Sequence, residues 1–294
     1  MNSVLSQTFA QDDFEIIVVN DSGSSLLIED WQSSRRVSIV NTHRRERSVA
    51  RNTGAAIAQG KYLHFLDDDD WLCPDALYHF WELAQNRPMA WLYGVSQLVE
   101  RNGRELIQLQ HGMQGNCFMQ AMAGEWIPLQ SSLVDAKIFH RLGGFSPLIS
   151  GPEDIDLFRR VCLHGEIAET SHLIAMIERG DSDSTTNYAK HPEQSRWARE
   201  KILEEAGAFL RMKNEVTSGF WFGKLFRIYV TSAVWNIRRK RISTALSRLM
   251  YGLNVIFLSN FRVLTRDFWR ALIRPYQSPT FARGIERSGR KLDF

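Results

Sequence analysis

The sequence predicts an α/β protein with a mixed, mainly parallel sheet, flanking helices and a basic helical extension at the C-terminal end. Three apolar runs carry this prediction: Phe14–Val19, Arg36–Val40 and Tyr62–Leu66. Unbroken Ile- and Val-rich runs are typical of strands buried on both faces, which are mostly parallel strands. A helical segment separates the second and third runs. Strands and helices in this spacing indicate βαβ units rather than a β-sandwich.

The segment that connects the second and third runs has the pattern of an amphipathic helix. Ser48 is a residue type favoured at the N-cap, and Gly60 suits the position just after a helix. Val49, Thr53 and Ala56 would lie on one face of this helix. We therefore expect a crossover helix between these two strands.

The following residues, up to about residue 215, continue the alternation of strands and helices. Asn102-Gly103 is a strong hairpin signal after the predicted strand Trp91–Glu100. Pro, Asp or Gly residues mark the ends of four further predicted helices. These helices are predicted over residues 76–86, 135–142, 152–164 and 192–213.

Composition limits the class of protein. A chain of 294 residues, 44% hydrophobic, has room for one large domain and an appendage. Cys73, Cys117 and Cys162 are far apart, which excludes a zinc ribbon, a Cys-x-x-Cys redox motif and a disulfide framework. The N-terminal residues lack the basic and apolar regions of a signal peptide, and no run of 18 apolar residues is present. These features predict a cytoplasmic location.

Charge divides the chain into two parts. Residues 215–294 contain 15 Lys and Arg against 4 Asp and Glu, whereas residues 1–214 contain 21 against 29. We expect an α/β domain over residues 1–215 and a basic aromatic extension over residues 216–294. The extension resembles helices that lie on anionic membrane surfaces. The alternative is a helical pair that packs on the first domain; no nucleic-acid-binding motif is present, and we expect no such partner.

The third apolar run ends in four consecutive carboxylates, Asp67, Asp68, Asp69 and Asp70. Neighbouring like charges raise each other's pKa, and a shared cation is the simplest reason to keep them together. Hard oxygen ligands suit Mg²⁺ or Mn²⁺ that also contacts a phosphate. Ligands of open α/β sheets bind at the carboxyl ends of the strands, where this cluster lies. The alternative is a solvated acidic turn.

Three motifs, in this order along the chain, resemble those of the inverting nucleotide-sugar glycosyltransferases of family 2, which have the GT-A fold. The motifs are QTF-x₄-FEIIVVND-x-GS, ARN-x-G-x₃-A-x-GKY-x₂-FLD-x-DD and LGGF-x₆-PED-x-DL. The resemblance covers roughly residues 4–190. It is specific because all three motifs occur together.

The resemblance implies roles for the acidic run. Asp67 and Asp69 would form the DXD pair, with Asp69 as the main metal ligand and Asp67 in contact with the metal or the ribose. Asp70 would be a supporting ligand. Asp68 occupies the variable position of the motif, and we expect it to be exposed.

The resemblance also implies roles outside the acidic run. Asp21 would recognise the nucleotide base, although an Asx-turn role is an equal alternative. Arg51 would contact the nucleotide or its diphosphate; the alternative is an ordinary surface arginine. Asp154 would be the general base that deprotonates the acceptor, rather than only a partner of the helix dipole. Asp181 stands near the position where many relatives carry a His ligand, so that ligand stays unassigned.

Together these residues predict a glycosyltransferase. The resemblance implies metal-assisted transfer of a sugar, with inversion, from a nucleotide-sugar donor to a hydroxyl of a glycan or lipid-linked acceptor. It further implies a role in envelope polysaccharide assembly, peripheral to the inner membrane face. Two alternatives remain open, a catalytically impaired sugar-nucleotide binding module and a sugar nucleotidyltransferase.

The start of the chain departs from the family pattern. Family members begin with an apolar strand and a Pro-Thr-x-Asn turn, whereas this chain begins at the helix that follows them, NSVLSQTF. A parallel sheet without that strand leaves backbone groups of its neighbours unpaired. We therefore expect that Met1 is not the natural start of the domain, or that this form is impaired.

Overall fold

A computed structural model describes most of the chain. The described residues are 1–43, 46–86, 88–149, 151–179, 192–213, 215, 218–275 and 282–283.

The first strands form a small parallel sheet of their own. Ile16 pairs with Val37 at one end of this sheet and Asn20 pairs with Asn41 at the other. Within the described ranges, neither strand pairs with the larger sheet that follows. The elements of this region are α1 (Asn2–Leu5), β1 (Ile16–Asn20), β2 (Val37–Asn41) and α2 (Arg47–Ile57).

The larger sheet is organised around one long central strand. Its elements are β3 (Tyr62–His64), β4 (Trp71–Leu72), α3 (Ala76–Asn86), β5 (Trp91–Glu100), β6 (Glu105–Gln110), α4 (Phe118–Met122), β7 (Ser132–Asp135), α5 (Ala136–Arg141), α6 (Glu153–His164), β8 (Ile167–Arg179) and β9 (Ala282–Arg283). The central strand β5 pairs antiparallel with β6 and β7 and parallel with β8. β3 pairs with β7, β4 with β8 and β6 with β9, all antiparallel.

The prediction of a mixed α/β sheet with flanking helices is confirmed. The share of antiparallel pairing is larger than the apolar runs indicate, because among the described strands parallel pairing is confined to β1–β2 and β5–β8. The hairpin of β5 with β6 and the return of β7 between β3 and β5 bring in the antiparallel pairs. An apolar run reports that a strand is buried and carries no information on the direction of its neighbour.

Most predicted helices lie close to their expected positions, but the long helix predicted over residues 192–213 is wrong. This segment forms two helices, α7 (Pro192–Glu204) and α8 (Ala208–Lys213). Gly207 lies between them with φ +91°, a conformation that a right-handed helix cannot continue through. The chain therefore turns where the sequence pattern alone looks continuous.

The C-terminal helices pack on the α/β body. They are α9 (Gly219–Arg238), α10 (Ile242–Leu258) and α11 (Arg266–Ile273). Phe220 and Trp221 of α9 are buried in the same hydrophobic cluster as Trp91 of the central strand. The close approach of α11 to α9 requires Gly223, because a Cβ there would collide with the backbone carbonyl of Phe268. Among the described residues, no helix is both long enough and apolar enough to cross a bilayer.

The N-terminus of α2 is capped by a different residue from the expected one. The carboxylate of Glu46 accepts hydrogen bonds from the amides of Ser48 at 3.0 Å and Val49 at 2.9 Å. Ser48 lies inside the first turn, fully buried, with its hydroxyl 3.5 Å from the carbonyl of Ser146. The expectation that Ser48 is the N-cap is wrong, because a carboxylate two residues earlier satisfies the free amides.

Substitution of Glu46 measures how much this cap contributes to the free energy of unfolding. We expect Glu46→Ala to lower the free energy of unfolding by about 1 kcal/mol, because two amides lose their acceptor. Ser48→Ala is the matched control and should change stability by about 0.5 kcal/mol or less, since its hydroxyl makes only one long contact. Denaturant unfolding of both variants measures the difference. A larger loss for Ser48→Ala than for Glu46→Ala would contradict the observed cap.

Candidate active site

The acidic run forms a compact turn after β3. Oxygen atoms of Asp67, Asp69 and Asp70 all lie within 4.8 Å of one another. The backbone amide of Asp70 donates to the carbonyl of Asp67 at 3.2 Å, which closes the turn. Asp68 is exposed, as the sequence predicts. The turn therefore aims three of its four carboxylates at a common point.

The protonation of this turn reflects crowded negative charge. Burial raises the pKa of Asp70 to about 7, and repulsion from Asp67 and Asp69 adds to the effect. Partial burial, together with repulsion from Asp67, Asp68 and Glu178, also raises the pKa of Asp69. The amide of Glu178 donates to Asp70 at 2.7 Å, a stabilising contact that does not cancel the repulsion. The raised pKa values of Asp69 and Asp70 thus follow from burial together with the crowding of like charges.

A hard divalent cation fits this donor set. Carboxylate oxygens are the ligands that Mg²⁺ and Mn²⁺ prefer, and Asp67, Asp69 and Asp70 offer three within one ion's reach. A cation there would relieve the repulsion that adds to burial in raising the pKa values of Asp69 and Asp70. The chemistry of the residues present therefore agrees with the expected metal site.

Arg51 links the acidic turn to α6. One terminal nitrogen of its guanidinium donates to Asp67 at 2.8 Å and the other donates to Glu153 at 3.1 Å. Burial alone would lower the pKa of Arg51, but attraction from Asp67, Glu153 and Asp154 raises it above its ordinary value. Arg51 is therefore not an ordinary surface arginine. Its planar fork holds carboxylates from two separate segments.

Asp154 lies in the first turn of α6, next to this ion pair. Burial and the neighbouring charge of Glu153 raise the pKa of Asp154 to about 6, although Arg51 and a hydrogen bond from the amide of Ile155 act in the opposite direction. That amide lies 2.7 Å from the Asp154 carboxylate. A carboxyl group with this pKa is ionised at neutral pH and basic enough to accept a proton.

A second contact joins the same two motifs, and it was not predicted from the sequence. The Asn52 side chain donates to the carbonyl of Phe145 at 2.8 Å and accepts from its amide at 2.9 Å. Gly144 makes this possible, because its φ is +67° and a Cβ would collide with the Asn52 side-chain oxygen. Asn52 follows Arg51 in the ARN motif, so the motif binds both the LGGF and the PED segments. The sequence offered one signal for this contact, namely that an asparagine side chain can donate and accept a hydrogen bond at the same time.

Gln130 is a further site residue that sequence reasoning missed. Its side-chain nitrogen donates to Asp67 at 3.1 Å. It belongs to the short segment Leu129–Ser131 that leads into β7. No motif marks this glutamine, and only the pairing of β7 with β3 brings it to the acidic turn.

Asp21 follows β1, and its neighbour makes the turn. Asn20 donates to the carbonyl of Ser24 at 2.7 Å and accepts from the amide and hydroxyl of Ser22. The Asx-turn role that was considered for Asp21 therefore belongs to Asn20. The side chain of Asp21 is partly exposed at the carboxyl end of the strand.

Two further side chains near the motifs, Trp126 and His172, lie outside the acidic cluster. Trp126 packs against the hydrophobic core. His172 is exposed and stacks on His79 with ring centroids 3.6 Å apart. Asp181 lies outside the described residues.

Comparison with known proteins identifies the family. Residues 1–145 match the family described as Glycosyl transferase family 2. This segment belongs to glycosyltransferase family 2. This assignment covers the segments that carry Arg51 and the acidic turn.

Two relatives with named activities act on poly(ribitol-phosphate), according to their names. The chain is 28% identical over 149 residues to the poly(ribitol-phosphate) beta-N-acetylglucosaminyltransferase TarP of Staphylococcus aureus, a match covering 48% of this chain and 41% of that protein. It is also 28% identical over 149 residues to a poly(ribitol-phosphate) beta-glucosyltransferase of Bacillus spizizenii, covering 49% and 21%. The matches thus span less than half the length of these relatives.

The fold agrees with that of a solved structure. S. aureus TarS, residues 1–349 in complex with UDP-GlcNAc, superposes with a TM-score of 0.62 and 14% identity, covering 84% of both chains. At this identity the likeness shows the fold alone, which is the GT-A fold expected from the motifs.

Gly144→Ala tests the contact between Asn52 and Phe145. Gly143 and Gly144 both have positive φ, 76° and 67°, so alanine at either position costs about 1 kcal/mol of backbone strain. At Gly144 we expect a further loss of about 1–3 kcal/mol, because the new Cβ collides with Asn52. At Gly143 no atom lies within 4 Å of the added Cβ, which makes Gly143→Ala the matched control. Equal loss of unfolding free energy in both variants would contradict this role.

Proposed function

We propose that this chain transfers a sugar from a nucleotide-sugar donor to a hydroxyl of a glycan or lipid-linked acceptor, with inversion at the sugar carbon. The observation that carries the proposal is the double ion pair of Arg51. It brings the acidic turn, through Asp67, next to Glu153 and the general-base candidate Asp154. Donor activation and acceptor deprotonation need those two groups side by side.

We propose a uridine diphosphate sugar as the donor. TarS, which shares the fold, has been solved with UDP-GlcNAc and with UDP. Asp21 would accept hydrogen bonds from the base, since its carboxylate lies partly exposed at the end of β1. Asp67 would contact the ribose or the metal from the neighbouring strand end.

Asp67, Asp69 and Asp70 would hold Mg²⁺ or Mn²⁺ in the proposed complex. A divalent cation there supplies charge that stabilises the departing diphosphate. Gln130 helps to keep Asp67 oriented, because its side-chain nitrogen donates to that carboxylate. Arg51 donates a further hydrogen bond to Asp67, so the turn keeps its shape when its carboxylates are ionised.

Asp154 would remove the proton from the acceptor hydroxyl as that oxygen attacks the sugar carbon. The attack comes from the face opposite the leaving diphosphate, which inverts the configuration at that carbon. Its pKa of about 6 leaves Asp154 ionised at neutral pH. Glu153 is held by Arg51, which fixes the first turn of α6 and so orients Asp154.

The acceptor class follows from the relatives. Their names include polymers of ribitol phosphate, and an Escherichia coli relative is named as a glucosyltransferase acting on a GlcNAc-diphosphoundecaprenol. We therefore propose envelope polysaccharide assembly in the cytoplasm, peripheral to the inner membrane face. Residues 1–215 would form the catalytic domain, and residues 216–294 the basic extension.

Release of nucleoside diphosphate tests the proposal. We expect UDP release from one of a panel of UDP-sugars when a glycan or lipid-linked acceptor and Mn²⁺ are present. Binding of UDP without turnover of any donor would favour the alternative of an impaired binding module. Release of pyrophosphate from a nucleoside triphosphate and a sugar 1-phosphate, supplied in place of the UDP-sugar, would identify a nucleotidyltransferase.

Asp69→Ala tests the metal site. We expect turnover and Mn²⁺-dependent UDP binding to be lost while the fold survives, because the metal loses its main ligand. Asp68→Ala is the matched control: it removes an adjacent, exposed carboxylate and should leave turnover within about twofold. Calorimetry of UDP binding with and without Mn²⁺ separates the two variants. A fully active Asp69→Ala enzyme would contradict the assignment.

Asp154→Asn tests the base. We expect turnover to fall by about 10²-fold or more, with UDP affinity nearly unchanged, since the amide cannot accept the proton. In the unsubstituted enzyme kcat/KM should fall as pH drops through about 6, because the raised pKa of Asp154 sets where the base becomes protonated. Asp156→Asn, which loses its 2.8 Å ion pair with Arg160, should lower stability without moving this pH profile. Parallel losses of UDP binding and turnover in Asp154→Asn would mark a structural role.

A further inference from the structure

Helix α10 has two unlike faces. Ala245, Gly252 and Val255 form its inner face and are buried. This face packs on α9, where a Cβ on Gly252 would lie 3.5 Å from the ring of Phe226. The inner face thus accounts for the attachment of α10 to the body of the protein.

The outer face of α10 is an exposed apolar stripe. Its six residues recur at helical spacing and are 40% to 81% exposed: Ile242, Leu246, Leu249, Met250, Leu253 and Phe257. The turn after the helix continues the apolar surface with Phe261 and Leu264, each 78% exposed. Contiguous exposed apolar surface of this kind marks an interaction site on a soluble protein.

Positive charge surrounds this stripe along the chain. Residues 218–275 contain 11 Lys and Arg and a single acidic residue, Asp267. Four consecutive exposed basic residues, 238–241, precede α10. Arg266, Arg270 and Arg274 follow it in and after α11 and are also exposed. The apolar stripe is therefore preceded and followed by cationic side chains.

The positive charge and the exposed apolar side chains together indicate which kind of partner binds to the stripe. A second copy of the chain would bring an equally positive segment against this one, and like charges oppose that contact. A soluble polyanion would satisfy the arginines but would gain nothing from Phe257, Phe261 and Leu264. An anionic bilayer satisfies both features, because its phosphates attract the basic residues and its acyl boundary accepts the apolar ones.

We propose that the outer face of α10 and the turn after it dock on an anionic phospholipid surface, with α10 lying in the plane of the interface. Leu246, Leu253 and Phe257 enter the boundary between headgroups and acyl chains. The basic residues before and after the helix contact headgroup phosphates. This orientation needs no spanning helix, in agreement with the described helices.

The inference deepens the proposed function and rests on it only for the lipid-linked acceptor. Docking by α10 would hold the transferase beside a membrane-borne acceptor. Vesicle binding is measured without donor or acceptor. A chain that does not bind vesicles could therefore still release UDP. A chain that transfers no sugar could still be tested for vesicle binding.

Flotation of the full chain with vesicles tests the proposal. We expect binding to phosphatidylcholine vesicles that contain about one third phosphatidylglycerol, and little binding to phosphatidylcholine alone. High salt should weaken the binding, because part of the attraction is electrostatic. Equal binding to both vesicle types, or no binding to the anionic ones, would overturn the proposal.

Paired variants separate the apolar and the charged contributions. Leu253→Ser with Phe257→Ser should weaken binding roughly tenfold or more, because two inserted side chains are lost. Leu27→Ser with Ile28→Ser removes two apolar groups that are even more exposed, from the loop between β1 and β2, and should leave binding unchanged. Arg238→Gln with Lys240→Gln should weaken binding about fivefold per residue, whereas Arg101→Gln with Lys137→Gln, at exposed sites elsewhere, should not.

Sedimentation of the same variants identifies a competing occupant. A dimer in free solution that dissociates in Leu253→Ser with Phe257→Ser, without vesicle binding by the parent chain, would assign the stripe to a second copy and overturn the proposal. Near-ultraviolet circular dichroism and the unfolding midpoint verify that each variant remains folded. Equal vesicle binding by the stripe variant and the parent chain would also overturn it.

Discussion

The fork of Arg51 is the interaction on which the arrangement of this site depends. Its two terminal nitrogens hold Asp67, which follows β3, and Glu153, which opens α6. These carboxylates are far apart in sequence and would repel each other without a cation between them. The guanidinium supplies that cation from α2, whose own start is fixed by Glu46. Lysine could not replace it, because a point charge on a flexible stem does not bond in two fixed directions.

The C-terminal helices are part of the same physical unit as the site. Phe220 and Trp221 are buried with Trp91, and the amide of Met119 in α4 donates to Glu215 at 2.7 Å. Burial raises the pKa of Glu215 to about 8, although attraction from Arg211 and from Arg262 of the C-terminal region acts in the opposite direction. Deletion of the extension would uncover the core of the α/β body. Point substitutions on the outer face of α10 therefore separate its surface role from its packing role more cleanly than truncation does.

The sequence predicts the elements of this fold better than the contacts between them. Ala76–Asn86 and Trp91–Glu100 lie where local patterns put them, because periodicity and turn chemistry act over a few residues. Arg51, Asp67 and Asp154 were named from motifs, and their spatial relation through Glu153 needed the structure. The roles of Gln130 and Asn52 could not be predicted from the sequence, because a polar side chain gains its role only from a partner that the fold supplies.

Because β1 and β2 are separate from the larger sheet, binding of a nucleotide to the proposed site could be observed in the small sheet itself. α2 connects the two sheets in sequence, and Glu15 reinforces the junction by accepting hydrogen bonds from the amides of Gln59 at 2.6 Å and Gly60 at 3.1 Å. In the proposed complex a nucleotide would touch Asp21 on one sheet and the acidic turn beside the other. Such a ligand would connect the two sheets, because each of its ends would contact a different one. The amide protons of Ile16–Asn20 would then exchange with solvent more slowly when a nucleotide is bound, and this protection would report occupancy even for a donor that is never turned over.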